Sequence, residues 1–162
     1  MSRESLVPPD GEDVAGVIAP PPLIFAVPGT IAALVGRAFP VHVMPQPFAL
    51  TLGVVLTVAG IGLNAWAMPK FRQAQTSVIP YKPTTAIIAT GPYSVTRNPI
   101  YLGMTLLYIG ITLIVNTIWP LVLLPFVLAV MQRGVIEREE RYLERKFGDE
   151  YLSYKSRVRR WI

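Results

Sequence analysis

Cysteine is missing from these 162 residues, and histidine occurs once, as His42. Without thiols there is no disulfide, no iron–sulfur cluster and no Cys-ligated zinc, and cysteine usage says nothing about the redox compartment. One imidazole does not make a histidine-rich metal site, so no metal is expected. Charge is scarce as well: Asp, Glu, Lys and Arg make up 15% of the chain, against about 25% in an average soluble domain. Also absent are a P-loop, an HExxH helix, an EF-hand loop, a GxGxxG dinucleotide turn and a Ser-His-Asp set, and there is no internal repeat.

What is present is apolar. The hydrophobic fraction is 52% and the mean hydropathy is +0.45. These residues fall in blocks rather than in stripes of period 3.6, the pattern of a membrane protein. The net charge of +5 then fits anionic head groups and a cytoplasmic side rather than nucleic acid, which is not expected as a partner. The opening, MSRESLVPPDGEDVAGVIAP, carries Glu4, Asp10, Glu12 and Asp13 among prolines and has no basic n-region followed by an apolar run. It is therefore not a signal peptide, and 1–21 is expected to be a disordered cytoplasmic lead-in.

Four segments are apolar enough to cross a hydrocarbon layer of ~30 Å. They are 22–39, weakened by Pro28 and with Arg37 free to snorkel; 47–68, the cleanest; 99–116; and 118–133, where Pro125 is expected to kink the helix. Only Asn116 and Thr117 separate the last two, which requires a tight antiparallel hairpin. The expected fold is all-α and polytopic: a four-helix core over 22–133, then a tail over 134–162. The 69–98 loop holds Lys70, Arg72, Lys82 and Arg97, and the tail is rich in Arg and Lys, whereas 40–46 and 116–117 hold neither. The positive-inside rule places both termini and the 69–98 loop in the cytoplasm.

Two places break the apolar pattern. The first is GPYSVTRNPIYLG, 91–103. Asn98 is a favoured N-cap and Pro99 suits a first helical turn, so Arg-Asn-Pro starts the third span. In one reading Arg97 only anchors that end near head groups. In the other, Arg97 and the free N–H groups of the helix start make an anion site, flanked by Tyr93 and Tyr101. The second place is the tail, GVIEREERYLERKFGDEYLSYKSRVRRWI, which reads as a helix of about four turns stopped at Gly148, followed by a second short piece. Ile136, Glu140, Leu143 and Phe147 share one helix face, with Glu139 at its edge. A carboxylate inside an apolar stripe needs a cation, donors or a proton: Glu140 either pairs with Arg97 or Arg133 or meets a ligand. Glu137, Glu144, Arg141 and Arg145 fall on a solvated face. Gly60 and Gly62 allow close approach within the second span, and Asn64 suits an interhelical hydrogen bond.

The stretch GPYSVTRNPIY, followed some forty residues later by EREERYLERKFGDEYLSYKSRVRRWI, resembles the isoprenylcysteine carboxyl methyltransferases and their relatives, the phospholipid N-methyltransferases. The family pattern is Arg-His-Pro-x-Tyr, a helical hairpin, Glu-Glu, then Phe-Gly-x-x-Tyr-x-x-Tyr, and the likeness covers about 50–162. It implies a multi-pass membrane enzyme that uses S-adenosylmethionine and methylates a lipidic or prenylated acceptor, with membrane lipids as its other partners. Carried over by position, Arg97, Pro99 and Tyr101 match the first motif, Glu139 and Glu140 the acidic pair, and Gly60 and Gly62 a Gly-x-Gly of the phospholipid branch. Arg97 and Glu140 become the catalytic candidates. Tyr93, Arg97, Asn98, Pro99, Tyr101, Glu139, Glu140, Gly60 and Gly62 become the cofactor-binding ones. Asn98 stands where the eukaryotic branch has histidine and cannot shuttle a proton. The absence of extra N-terminal helices points to a minimal form of a bacterial inner membrane. An NADPH-dependent reductase of the sterol type and a non-enzymatic membrane scaffold remain as rival readings.

Overall fold

A computed structural model describes residues 13–162. Among these residues six α-helices follow one another: α1 Pro21–Ala38, α2 Gln46–Gln73, α3 Pro99–Val115, α4 Trp119–Met131, α5 Glu137–Phe147 and α6 Asp149–Arg157. A short 3₁₀ turn, Gly91–Ser94, precedes α3, and a π turn, Gln132–Ile136, joins α4 to α5. Among the described residues there is no strand, only an isolated parallel bridge between Thr96 and Arg159. Prolines open α1, α2, α3 and α4, where a missing N–H costs nothing.

Three helical stretches are long and apolar enough to cross a membrane: Pro21–Ala38, Gln46–Gln73 and the continuous Trp119–Phe147. The last has 29 residues, roughly 43 Å at 1.5 Å per residue, which exceeds the ~30 Å hydrocarbon layer. Its apolar part closes at Ile136, and the charged turns from Glu137 onward project beyond it. The π turn therefore corrects the expected division at 133, because the tail starts as a continuation of the fourth span. The third apolar segment, α3, has 17 residues, about 26 Å, and is the shorter apolar helix of the set.

Small residues decide how the spans meet. The buried positions of α2 are Ala49, Gly53, Gly60 and Ala67, a seam that returns every four or seven residues and faces α3. A Cβ on Gly60 would lie 2.7 Å from the Gly103 carbonyl oxygen, and one on Gly53 would lie 2.8 Å from that of Gly110. Helix backbones pack this closely in lipid because apolar side chains gain little there from leaving the solvent. The opposite face of α2, with Val54, Val55, Val58 and Ile61, is exposed, as a lipid-facing surface should be. Phe25 of α1 packs against Tyr108 of α3 in the same apolar cluster as Val127, Met131 and Val135.

The two connections without Lys or Arg meet at one end of the bundle. Asn116 takes a left-handed conformation, φ 54°, which closes the α3–α4 hairpin. Its side chain accepts from Val43 N at 3.1 Å and donates to Met44 O and to Gln46 Oε1, both at 2.9 Å. At the other end lies the first described segment. Residues 13–20 of the expected lead-in are packed, which corrects that expectation; residues 1–12 lie outside the described residues. Val17 is buried, Ile18 N donates to Gly134 O at 3.2 Å, and Arg138 Nη1 donates to Gly16 O at 2.9 Å.

Candidate active site

Three stretches distant in sequence converge beside the start of α3. Pro99 fixes the first turn, Arg97 and Asn98 precede it, and α5 brings Glu139 and Glu140 alongside. The C-terminal tail then lies across the junction. Arg97 N donates to Arg159 O at 2.9 Å, and Thr96 Oγ1 donates to Arg160 O at 3.1 Å. Asn98 Nδ2 donates to the same Arg160 carbonyl at 2.9 Å. Asn98 thus holds the N-cap position without a side-chain capping bond; its amide ties down the tail instead, which corrects the capping expectation.

The twin acids face different surroundings. Glu140 is 5% exposed. Arg160 grips both its oxygens, Nε to Oε1 at 2.9 Å and Nη2 to Oε2 at 2.6 Å, a fork-to-fork geometry of the strong kind. Arg97 Nη1 approaches Oε1 at 3.2 Å, near enough to pair as charges but without hydrogen-bond alignment. Nε and Nη1 of Arg97 consequently have no hydrogen-bond partner among the described residues, although they are enclosed. Of the two cations expected to meet Glu140, Arg97 arrives, while Arg133 is exposed.

Among the described residues Glu139 has no cation. Its Oε1 accepts from Tyr101 Oη at 2.7 Å. Burial pushes its carboxyl up to about 7, the Tyr101 hydrogen bond works in the opposite direction, and the neighbouring Glu140 charge adds to the rise. Glu144, expected on the solvated face, pairs with Lys155 of α6.

These groups form one wall of a cavity of about 500 Å³. Arg97, Asn98, Pro99, Tyr101, Glu139 and Glu140 line it, as does Tyr93 from the 3₁₀ turn. The remaining walls are mostly apolar: Met68 and Phe71 from α2, Val78, Ile79, Ile87 and Ile88 from the 74–90 connection, and Met104 from α3. A volume in the range of small-molecule sites, with a few convergent polar groups in an apolar shell, is the general form of a ligand pocket. Gly60 and Gly62 do not reach it. Gly60 belongs to the α2–α3 seam, and a Cβ on Gly62 would meet nothing within 4 Å; the seam accounts for the first glycine, and the second is exposed.

Several contributors carry no sequence expectation. Tyr151 and Tyr154 of α6 are buried and line the cavity, and Tyr154 Oη donates to Tyr93 O at 2.8 Å. Burial raises the Tyr151 hydroxyl to about 12. Tyr142 of α5 accepts from Thr84 N at 3.1 Å and donates to Asp13 Oδ1 at 2.9 Å, which joins the 74–90 connection and the N-terminal segment over the cavity. The spacing Phe147-Gly148-x-x-Tyr151-x-x-Tyr154 signals the first two. Arg160 gives only the signal of a basic chain end.

Fold and cavity together define an all-helical membrane protein with a partly charged cavity at one end of its bundle. A family model described as phospholipid methyltransferase matches residues 48–150, well over half of the chain, and the protein belongs to that family of membrane methyltransferases. The protein-S-isoprenylcysteine O-methyltransferase of Saccharomyces cerevisiae is 32% identical over 109 residues, 66% of this chain and 46% of the yeast enzyme. The chain thus spans about half the length of that relative. An uncharacterized protein of Haemophilus influenzae is 46% identical over 63 residues, 38% of this chain and 98% of its own length. No solved structure matches. The family match stops at 150, so Tyr151, Tyr154 and Arg160 lie beyond it.

Proposed function

We propose that this methyltransferase takes S-adenosylmethionine as its methyl donor and a lipidic or prenylated molecule as its acceptor, within the cavity between α3 and α5. The observation that carries the reading is Arg97: its side chain is 9% exposed, it lies on the cavity wall at a helix start, and two of its enclosed nitrogens have no hydrogen-bond acceptor among the described residues. Buried donors without partners are rare and costly, and a ligand carboxylate satisfies them. The residues fit the donor in charge as well, because Glu139 supplies a half-buried acceptor, with no cation of its own among the described residues, for an amino or hydroxyl group. Glu140, the other catalytic candidate, has both oxygens occupied and acts here by orienting Arg97.

When bound, the donor supplies a sulfonium methyl: the carbon–sulfur bond breaks with its electron pair to sulfur as the acceptor's lone pair forms the new bond. Little covalent help is needed for such an in-line displacement; positioning and exclusion of water matter more. Arg97, Glu139 and the α3 start fix one end of the donor. Tyr93, Tyr151 and Tyr154 close the polar side, and the apolar walls keep water out and accept a hydrocarbon chain. The acceptor enters from the bilayer, with the cavity on the cytoplasmic face that the Lys and Arg distribution indicates. Yeast's O-methyltransferase name suggests one acceptor chemistry and the family description another, and both leave the acceptor lipidic.

Calorimetric titration of the full chain in detergent tests this. S-adenosylhomocysteine is expected to bind and NADPH not to bind. Arg97→Gln should weaken S-adenosylhomocysteine about 10- to 100-fold, the value of hydrogen bonds to a charged group. Binding of NADPH alone, or of neither ligand, ends the reading.

A further inference from the structure

Arg97 and Arg160 compete for one carboxylate, and Arg160 holds the better geometry. Its Nε and Nη2 make directed bonds to both oxygens of Glu140, while Arg97 is left with a charge contact at 3.2 Å and two partnerless nitrogens. If both Glu140 oxygens were open, the lower-energy arrangement for Arg97 would be its own two-point pair with Glu140. In that arrangement its donors are spent inside the wall.

We infer that Arg160 is a positioning residue: by occupying both oxygens of Glu140 it keeps the Arg97 guanidinium available for the carboxylate of a ligand in the cavity. This rests on the donor-binding reading above and adds to it a determinant on the C-terminal tail, outside the span of the family match. The tail does not depend on the Arg160 side chain for its place. The Thr96–Arg159 bridge and the bonds from Arg97 N, Thr96 Oγ1 and Asn98 Nδ2 to the Arg159 and Arg160 carbonyls are all made to backbone. The Arg160 side chain is itself 34% exposed, so its replacement leaves no cavity in a core. Removing the side chain while keeping the strap therefore isolates its effect on Glu140 and Arg97.

The experiment compares two ligands on the full chain in detergent: S-adenosylhomocysteine and its decarboxylated analogue, which keeps the adenosine, thioether and amine but has no carboxylate. Arg160→Gln is expected to weaken S-adenosylhomocysteine about tenfold, the loss of roughly one charge-assisted hydrogen bond, and to leave the analogue within about twofold. Arg160→Lys keeps the charge without the fork and should lose about threefold on S-adenosylhomocysteine alone; it serves if the Gln variant does not fold. Equal weakening of both ligands assigns Arg160 a general structural role and overturns the inference, as does unchanged affinity for both. If the unchanged protein binds S-adenosylhomocysteine but the variants do not discriminate, only this inference falls. If the unchanged protein binds neither ligand, the donor-binding reading falls first and takes the inference with it.

Discussion

The α2–α3 seam and the junction of α3, α5 and the tail share one helix, yet they are held by opposite means. Along the seam, side chains are reduced to hydrogen: Gly53 and Gly60 face the carbonyl oxygens of Gly110 and Gly103. At the junction, long side chains reach across to one another and to backbone: Arg160 to Glu140, Asn98 to the Arg160 carbonyl, Tyr101 to Glu139. The difference follows from the solvent each region meets. Lipid gives no hydrophobic drive between helices, so close backbone contact and dispersion hold the seam. Next to water, directed polar bonds define the geometry. Steric substitutions should thus act through the seam, and conservative polar substitutions through the junction.

The largest effect is expected where space is smallest. Valine at Gly60 would drive carbon into the Gly103 carbonyl and the Leu107 backbone nitrogen, 2.7 and 2.9 Å from a Cβ at that position. Neither is a side chain that can turn away. Gly60→Val should destabilise the detergent-solubilised protein by about 1–3 kcal/mol, read as a lowered unfolding temperature. Gly62→Ala, with nothing within 4 Å, should match or slightly exceed the unchanged protein, since alanine is the better helix former by up to ~1 kcal/mol. Equal destabilisation by both would erase the contrast and restore a direct role for Gly62.

Sequence pattern carried the apolar half of this molecule further than the polar half. Apolar runs of span length locate helices because lipid leaves the backbone no other partner, and the stop at Gly148 is visible because glycine there takes φ +52°. The convergence of Arg97 with Glu140 was legible too, because a carboxylate amid Ile136 and Leu143 must find a cation. What the pattern missed depends on competition. Both acids of the pair look alike as letters, and only the position of Arg160 decides that Glu140 is saturated and Glu139 is not. The capping expectation for Asn98 failed for a similar reason, since the tail carbonyl took the amide first. Packing of 13–20 was hidden because Pro, Gly and acidic residues read as loose chain, while the bonds that hold it come from Gly134, Arg138 and Tyr142, distant in sequence.

A smaller change sharpens the view of the junction. Tyr101→Phe removes one hydrogen bond and almost no volume, so its cost should be about 1 kcal/mol. Its informative effect is on titration. Glu139 is raised to about 7 chiefly by burial, and the Tyr101 bond moderates the rise; without that bond the carboxyl should titrate higher. A carboxyl raised on folding stabilises the fold most below its unfolded value, 4.5, and this contribution is lost as the pH climbs through about 7. In the variant the loss should occur at higher pH. Carboxyl resonances of labelled glutamate followed against pH would show it. A Glu139 titration near 4.5 in the unchanged protein would mean that the carboxylate is hydrated and that no apolar wall surrounds it.

The smallest effect belongs to the outer edge of the same junction, where the first described residue bonds to Tyr142 of the cavity wall. Asp13 pairs with Lys146 and accepts from Tyr142, and the Lys146 bond is the main cause holding its carboxyl below the ordinary value. Asp13 is half exposed at its side chain, 51%, so solvent and salt screen the pair and Asp13→Asn should cost under about 1 kcal/mol. That contribution is present above the unfolded pKa of Asp13 and disappears as the pH falls through the lower folded one. Global stability is therefore a poor reporter here, and amide exchange over 13–20 is a better one. Faster exchange confined to that segment, with unfolding temperature nearly unchanged, is the expected result, because Ile18 remains bonded to Gly134 and Arg138 to Gly16. Faster exchange throughout α5 would instead make the Asp13 contact a brace for the whole charged wall, and the division between a steric seam and a polar junction would need a third region.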